Sequence, residues 1–218
     1  DADRVGVVDE NGHVLWADEL MSIFLPDIIK NGEDILFDIK CSQSLEDMIN
    51  HYGGNPIMCK TGHSLIKQKM TEVGCKFGGE MSGHIFFADD YYGYDDAIYV
   101  AARLLELLSK TNKSLSELRS IIPVYHSTPE MRMEAKDDEE KFKITKKAIE
   151  YFTKNYDCIT VDGVRILFGD GWGLVRSSNT QPVIVCRFEA NSIDRRDEIM
   201  NLVLNKLKEF GDLKLGGH

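Results

Sequence analysis

Short apolar runs alternate with amphipathic segments through the first half of this chain, and that alternation constrains its fold more than any other feature. Residues 35–39, 56–59, 77–79 and 85–87 read as strands. Residues 18–29, 44–49, 64–73 and 95–109 carry apolar side chains at helical spacing, with Lys67, Gln68 and Lys69 on the wet side of the third. Ser44, with Asp47 three residues on, predicts an N-cap for the second of these helices. Strands alternating with helices are satisfied by a three-layer α/β domain with a mixed, largely parallel sheet. Ahead of this block, residues 5–9 and 14–16 flank Asn11-Gly12 and read as a hairpin.

The alternation runs to about residue 118 and then changes. Residues 124–128 and 131–134 flank Pro129. The acidic run 137–140 suits a solvated helix start, where early carboxylates meet the positive end of the helix dipole, and the helix continues to about 153. Strands follow at 158–161, 164–168, 173–176 and 183–190, with Asp162-Gly163 as a hairpin turn and a closing helix over 193–210. The second block is an α+β domain with an antiparallel sheet, and the boundary is expected near residues 120–128.

Composition narrows the function classes. The net charge is −10, against the basic face that a nucleic-acid grip through phosphates requires, although a local basic pocket for one small phosphate is compatible with it. Residues 98–108, among the longest apolar stretches, are broken by polar residues, so no membrane span is expected. Five scattered Cys without a C-x-x-C pair read as reduced thiols of a cytoplasmic protein. The chain does not begin with Met, and Asp1 is expected to lie inside a longer sequence.

Four constellations carry possible chemistry. Asp1 and Asp3 alternate at the entry to a strand, where two carboxylates can converge on a hard cation such as Mg²⁺; two Asp at an exposed terminus is the plainer reading. Glycines at 78, 79 and 83 bracket Glu80, Ser82 and His84, groups able to bond sugar hydroxyls, or simply to cap a turn. Arg176, Ser177, Ser178, Asn179 and Thr180 follow a strand directly and offer a guanidinium fork with hydroxyl, amide and backbone donors for a phosphate; an Asn/Ser-rich β-turn is the alternative. Lys40 at a strand end and His63 at a helix start occupy positions typical of site residues in α/β sheets, and each also suits an ordinary surface or structural role.

In this order, the stretches 1–4, 60–64, 79–84 and 176–180 resemble the α-D-phosphohexomutases, nearest to their bacterial phosphomannomutase/phosphoglucomutase branch. Asp95-Asp96 followed by residues 101–105 also fits, and the likeness covers nearly the whole chain. Family members have four domains. The resemblance implies that residues 1–9 end the metal-loop domain two, that 10–122 are the sugar-binding α/β domain three, and that 123–218 are the phosphate-binding α+β domain four. The family's metal loop reads Asp-Gly-Asp-x-Asp-Arg; Asp1 and Asp3 match its last two Asp, and the domain carrying the phosphorylated Ser has no counterpart here.

The implied reaction interconverts hexose 1-phosphate and 6-phosphate of mannose or glucose, through a phosphoserine and a 1,6-bisphosphate intermediate that turns around in the site. By resemblance, Asp1 and Asp3 hold Mg²⁺, weakly or not at all in this chain alone, and Arg4 sits beside the metal. Glu80 and Ser82 bind sugar hydroxyls. Arg176, Ser178, Asn179 and Thr180 clamp the idle phosphate, with Arg187 as a second cation. Lys40, His63 and His84 line the cleft, and His63 or Lys40 handles the hydroxyl proton. Hexose 1,6-bisphosphate is the expected activator of the full enzyme. Met81 leans toward mannose and glucose phosphates, since glucosamine-specific relatives more often place Gln there. The alternatives are a phosphoglucosamine mutase and, for the isolated chain, a non-catalytic sugar-phosphate-binding module. The partners expected are hexose phosphates and the missing N-terminal domains, with no nucleic acid and no membrane.

Overall fold

The computed structural model describes residues 1–178 and 181–216, and the chain divides into two units, Asp1–Val124 and Tyr125–His218. In the first unit, β1 (Val7–Val8) and β2 (Val14–Leu15) form an antiparallel hairpin. Gly12 takes φ 86° in its turn, and Asp9 Oδ1 accepts from the amides of Asn11 and His13 at 2.9 Å each. Then follow α1 (Ala17–Ile28), β3 (Asp34–Asp38), α2 (Gln43–His51), β4 (Asn55–Cys59), α3 (His63–Val73), β5 (Phe77–Gly79), β6 (Ile85–Phe87), α4 (Ala97–Ser109) and α5 (Leu115–Arg119).

The sheet order is β4-β3-β5-β6. β3 runs parallel to both β4 and β5, and β6 returns antiparallel to β5. A central parallel strand is covered on both faces, which is why β3 is apolar at consecutive positions. Ile35 and Phe37 pack with Phe24, Leu45 and Val100 from the helices α1, α2 and α4. Leu36 points the other way and packs with Ile66 and Met70 of α3. The result is the three-layer α/β arrangement with a mixed sheet that the alternation implied.

Local capping differs from the sequence pattern. The N-cap of α2 is Ser42, not Ser44: the Ser42 hydroxyl accepts from the Ser44 amide at 3.1 Å. The Ser44–Asp47 spacing imitates a capping box, but Ser42 has the extended backbone a cap needs, and its own amide is held by Asp18 Oδ2 at 2.8 Å. Helix α4 starts at Ala97, with the Asp96 carboxylate accepting from the amides of Ile98 and Tyr99. Helix α5 carries a capping box between Ser114 and Glu117.

The second unit contains β7 (His126–Ser127), β8 (Met131–Glu134), α6 (Asp138–Asn155), β9 (Asp157–Ile159), β10 (Val164–Leu167), β11 (Gly171–Ser177), β12 (Val183–Ala190), α7 (Ile193–Phe210) and β13 (Lys214–Leu215). Its sheet order is β13-β8-β12-β11-β10-β9, with β7 also on β12, and every pairing is antiparallel. Asp137 caps α6 by accepting from the Glu140 amide at 2.9 Å, so the acidic run is a helix start. Gly163, at φ 76°, turns β9 into β10 where a Cβ would fall 2.2 Å from the Val175 carbonyl oxygen. Ile144, Ala148 and Phe152 of α6 and Ile199, Val203 and Leu207 of α7 cover one face of the sheet, against Val164, Ile166, Val175, Ile184, Cys186 and Phe188.

Candidate functional site

In an open α/β sheet, ligands bind outside the carboxyl ends of parallel strands, at the point where successive connections leave in opposite directions. Here that point lies between β3 and β5: the chain leaves β3 toward β4 on one side and returns past β3 to β5 on the other. The carboxyl ends of β3, β4 and β5 deliver Asp38, Lys40, Thr61, His63 and Glu80.

Asp38, fully buried, organises this edge. Its Oδ1 accepts from the Met81 amide at 3.1 Å and from the Cys41 thiol at 3.1 Å, and its Oδ2 accepts from the Thr61 hydroxyl at 3.0 Å. Lys40 Nζ stands 4.0 Å from the same Oδ2. Burial raises the Asp38 carboxyl above the usual carboxylate value, against the pull of Lys40. One carboxylate therefore ties the ends of β3 and β4 to the loop after β5.

That loop folds on itself. The Glu80 amide donates to the His84 carbonyl at 2.8 Å, and Gly83, at φ 102°, donates to the Glu80 carbonyl at 3.1 Å. The buried Glu80 carboxylate accepts from the Gly62 amide at the start of α3, from the Ser82 hydroxyl at 3.3 Å and from His84 Nδ1 at 2.6 Å. Burial works to raise the Glu80 carboxyl; the bonds from His84 and Gly62 outweigh it and leave the group below the usual value. The same bond to Glu80 raises the His84 imidazole above its usual value, against desolvation.

His84 is a junction. Arg4 Nε donates to its Nε2 at 3.1 Å, Asp3 Oδ2 lies 3.4 Å from that nitrogen, and Asp95 Oδ2 lies 3.9 Å away. The Arg4 bond needs a bare Nε2 and the Asp3 contact a protonated one. The protonation of the ring therefore decides which of the two it holds, with Nδ1 facing Glu80 in either case. His63, half exposed, bonds Asp95 through Nδ1 at 2.9 Å and stacks on His84 with centroids 5.2 Å apart. Desolvation opposes the shift at Asp3, but its own backbone amide and His84 carry its carboxyl below the usual value.

The structure thus brings Asp3, Arg4, His63, Glu80, Ser82 and His84 into one cluster, with Lys40 at its floor beside Asp38. Asp1 is exposed, beyond an Ala2 with φ 58°. The sequence reading missed Asp38 and gave no task to Thr61 or Asp95; a carboxylate ending a buried parallel strand was the available signal for Asp38.

In the second unit, Arg176, Arg187 and Arg165 lie on the sheet face opposite α6 and α7, each at most 6% exposed. Arg176 Nε donates to Asp162 Oδ2 at 2.9 Å, Arg187 Nη2 donates to Ser127 Oγ at 3.3 Å, and the Arg165 guanidinium stacks on Trp172 at 3.8 Å. Trp172 is fixed in turn by donating to Glu189 at 2.8 Å. Ser178 donates its amide to the Val183 carbonyl at 2.9 Å. Lys141 of α6, which the sequence reading passed over, donates to the carbonyls of Ser178 at 2.9 Å and Gln181 at 3.0 Å. Asn179 and Thr180 lie outside the described residues.

Comparison with known proteins bears on this arrangement. Residues 16–125 match the family described as phosphoglucomutase/phosphomannomutase, alpha/beta/alpha domain III, and residues 130–206 match its C-terminal domain. A phosphomannomutase/phosphoglucomutase of Pseudomonas aeruginosa is 45% identical over 215 residues, covering 95% of this chain and 45% of the relative. A solved structure of a phosphoglucomutase/phosphomannomutase family protein from Burkholderia thailandensis, 38% identical, superposes with TM-score 0.87 over 98% of this chain and 46% of that one. N-acetylphosphoglucosamine mutase of Aspergillus fumigatus, solved with GlcNAc-6P and magnesium, shares the fold at TM-score 0.65 and 14% identity, over 94% of this chain and 50% of that one. The chain spans about half the length of the relatives it matches. Among the described residues, no helix is long and apolar enough to cross a membrane.

Proposed function

Because this chain belongs to the phosphoglucomutase/phosphomannomutase family, we propose that it supplies the sugar- and phosphate-binding parts of a cytoplasmic phosphohexomutase that interconverts hexose 1-phosphate and 6-phosphate of mannose or glucose. The observation that carries this reading is the Glu80 loop, anchored by Asp38 and by the Gly62 amide at the ligand-binding edge of β3 and β5. On this reading residues 1–9 end a metal-loop domain, 10–122 hold the sugar and 123–218 hold the phosphate, while the serine that carries the phosphoryl group lies on a domain beyond these residues.

Each residue then has a task. Glu80 and Ser82 hold sugar hydroxyls, and a carboxylate kept ionised by His84 and Gly62 accepts from two neighbouring hydroxyls in either orientation of the bisphosphate. Arg176, Ser178, Asn179, Thr180 and Arg187 hold the phosphate that is not reacting. Lys40, at the floor of the site, neutralises anionic charge, and His63, exposed and oriented by Asp95, moves the hydroxyl proton through Nε2. Such a reaction depends on positioning and on charge neutralisation of the transferred group.

The family is magnesium-dependent, and the carboxylates of Asp1 and Asp3 are the hard oxygen donors that fit this ion, Asp3 being held beside Arg4 and His84. When bound, Mg²⁺ supplies charge neutralisation at the phosphoryl group. Two carboxylates alone hold it weakly. Hexose 1,6-bisphosphate is the activator of the complete enzyme.

The half-length match to relatives favours a second reading for the isolated chain, a module that binds hexose phosphate without turnover. Calorimetric titration with glucose 6-phosphate tests both. Weak saturable binding, lost in Arg176→Ala, is expected. Absence of any phosphate-dependent heat overturns the substrate assignment. A coupled assay of a longer form that includes the preceding domains, primed with the bisphosphate, then separates mutase from module.

A further inference from the structure

We propose that His63, His84 and Asp95 form a binding site for a borderline divalent transition-metal ion of the Zn²⁺ class. One ligand atom from each residue lies within 4.8 Å of the other two. His63 Nδ1 stands 2.9 Å, and His84 Nε2 3.9 Å, from Asp95 Oδ2. Ligands bound at tetrahedral Zn²⁺ distances are about 3.3 Å apart, a value that lies between these two separations. Small side-chain adjustments therefore close the site. Two imidazole nitrogens and one carboxylate oxygen are the donors this ion takes, unlike the all-oxygen set that suits Mg²⁺.

The Glu80–His84 pair supports the assignment independently. An imidazole that binds a metal through one nitrogen characteristically donates its other N–H to a carboxylate, which fixes the tautomer and aims the ring. His84 Nδ1 makes this bond to Glu80 at 2.6 Å, and Glu80 is itself pinned by the Gly62 amide. His84 is 5% exposed, and its Nε2 faces out of the loop among Arg4, Asp3 and Asp95. Arg4 now donates to that nitrogen, but its side chain is exposed and can leave without uncovering the core. His63 needs only a change of tautomer: its proton moves to Nε2 and Nδ1 becomes the ligand, with no net loss of charge. Water completes the coordination.

The ion shares residues with the sugar loop, so Zn²⁺ and hexose phosphate exclude one another; that consequence alone rests on the mutase reading. The test is calorimetric titration of this chain with ZnCl₂, with Co²⁺ absorption reporting tetrahedral coordination and circular dichroism reporting the fold of each variant. One ion per chain is expected, weakened at least about tenfold by His63→Gln and by Asp95→Asn, and about tenfold by Glu80→Gln. Excess Mg²⁺ leaves the binding in place. His63 is exposed at the start of α3, so its substitution leaves the fold intact. Saturable binding unchanged in both ligand variants, or no saturable binding at all, overturns the site. Glucose 6-phosphate is expected to raise the apparent Zn²⁺ dissociation constant; intact Zn²⁺ binding with no response to the sugar phosphate overturns the exclusion and leaves the metal site standing, while the substrate reading stands or falls on the heat of glucose 6-phosphate binding alone.

Discussion

Lys141 of α6 donates from its buried ammonium to the backbone carbonyl of Ser178, 2.9 Å away, and so ties a helix to the entrance of the loop between β11 and β12. It also reaches the Gln181 carbonyl at the loop's exit and the Asp138 carboxylate on its own helix. A charge this buried is retained only with its partners, and its removal strands two carbonyls. Lys141→Met keeps the stem and removes the donors. We expect a loss of about 2–4 kcal/mol in a chemical denaturation series and faster amide exchange at Ser178 and Val183. Unchanged exchange there would show that the loop holds itself.

Asp38 predicts a graded pair of variants. Asp38→Ala removes the acceptor for Met81, Thr61 and Cys41 together, breaking a buried network at a cost of about 3–5 kcal/mol. Asp38→Asn keeps an oxygen for the Met81 amide and sheds a charge that burial disfavours, so its cost is smaller, about 1–2 kcal/mol. Urea midpoints measure both, and equal losses would mean that charge, not hydrogen bonding, is what this position supplies.

Glu10 predicts a pH dependence. Its carboxylate bonds the Ser116 hydroxyl and amide, joining the first hairpin to α5, and hydrogen bonds from Ser114 and Ser116 hold its pKa down to about 2 from 4.5. A depressed carboxyl contributes stability that is fully present above its unfolded value and lost as pH falls through its folded value. The stability difference between the wild type and Glu10→Gln is therefore expected to be constant above about pH 4.5 and to vanish toward pH 2. Melting temperatures of the two across that range check it.

Gly163 predicts a steric failure. Its φ of 76° already disfavours a side chain, and a Cβ there meets the Val175 carbonyl oxygen at 2.2 Å and Arg176 Cα at 2.7 Å. Gly163→Ala is expected to cost more than about 2 kcal/mol, from backbone strain and a displaced β11 together. Since β11 carries Arg176, the residue proposed to hold phosphate, affinity for glucose 6-phosphate is expected to fall in the same variant. A stable variant with undisturbed binding would place the β9–β10 turn elsewhere.

What could be read from the sequence was what depends on neighbours in sequence. The period of apolar residues marked β3 through α4, and Asp162-Gly163 marked the turn between β9 and β10, because both signals are local. Ser42 was passed over as a cap because Ser44 imitates the pattern two residues later, and only the extended backbone of Ser42 decides between them. Strand β13 was not legible, since two residues acquire strand character by pairing with β8. Lys141 was invisible as a site builder, and Asp38 showed only as a carboxylate ending a strand, for a related reason: their partners at Ser178 and Met81 are distant in sequence. Glycine-flanked Glu80 was legible because the loop folds on itself within five residues.

The closure of that loop also sets how it can drift over generations. A side chain at Gly79 would press within 2.9 Å of the His84 carbonyl oxygen, and one at Gly83 within 3.0 Å of the Val5 carbonyl oxygen. Glu80 and His84 are buried and bound to each other. Met81 and Ser82, both partly exposed, are the positions left open to exchange. Exchange in this loop is therefore confined to two adjacent codons, while the frame around them stays locked.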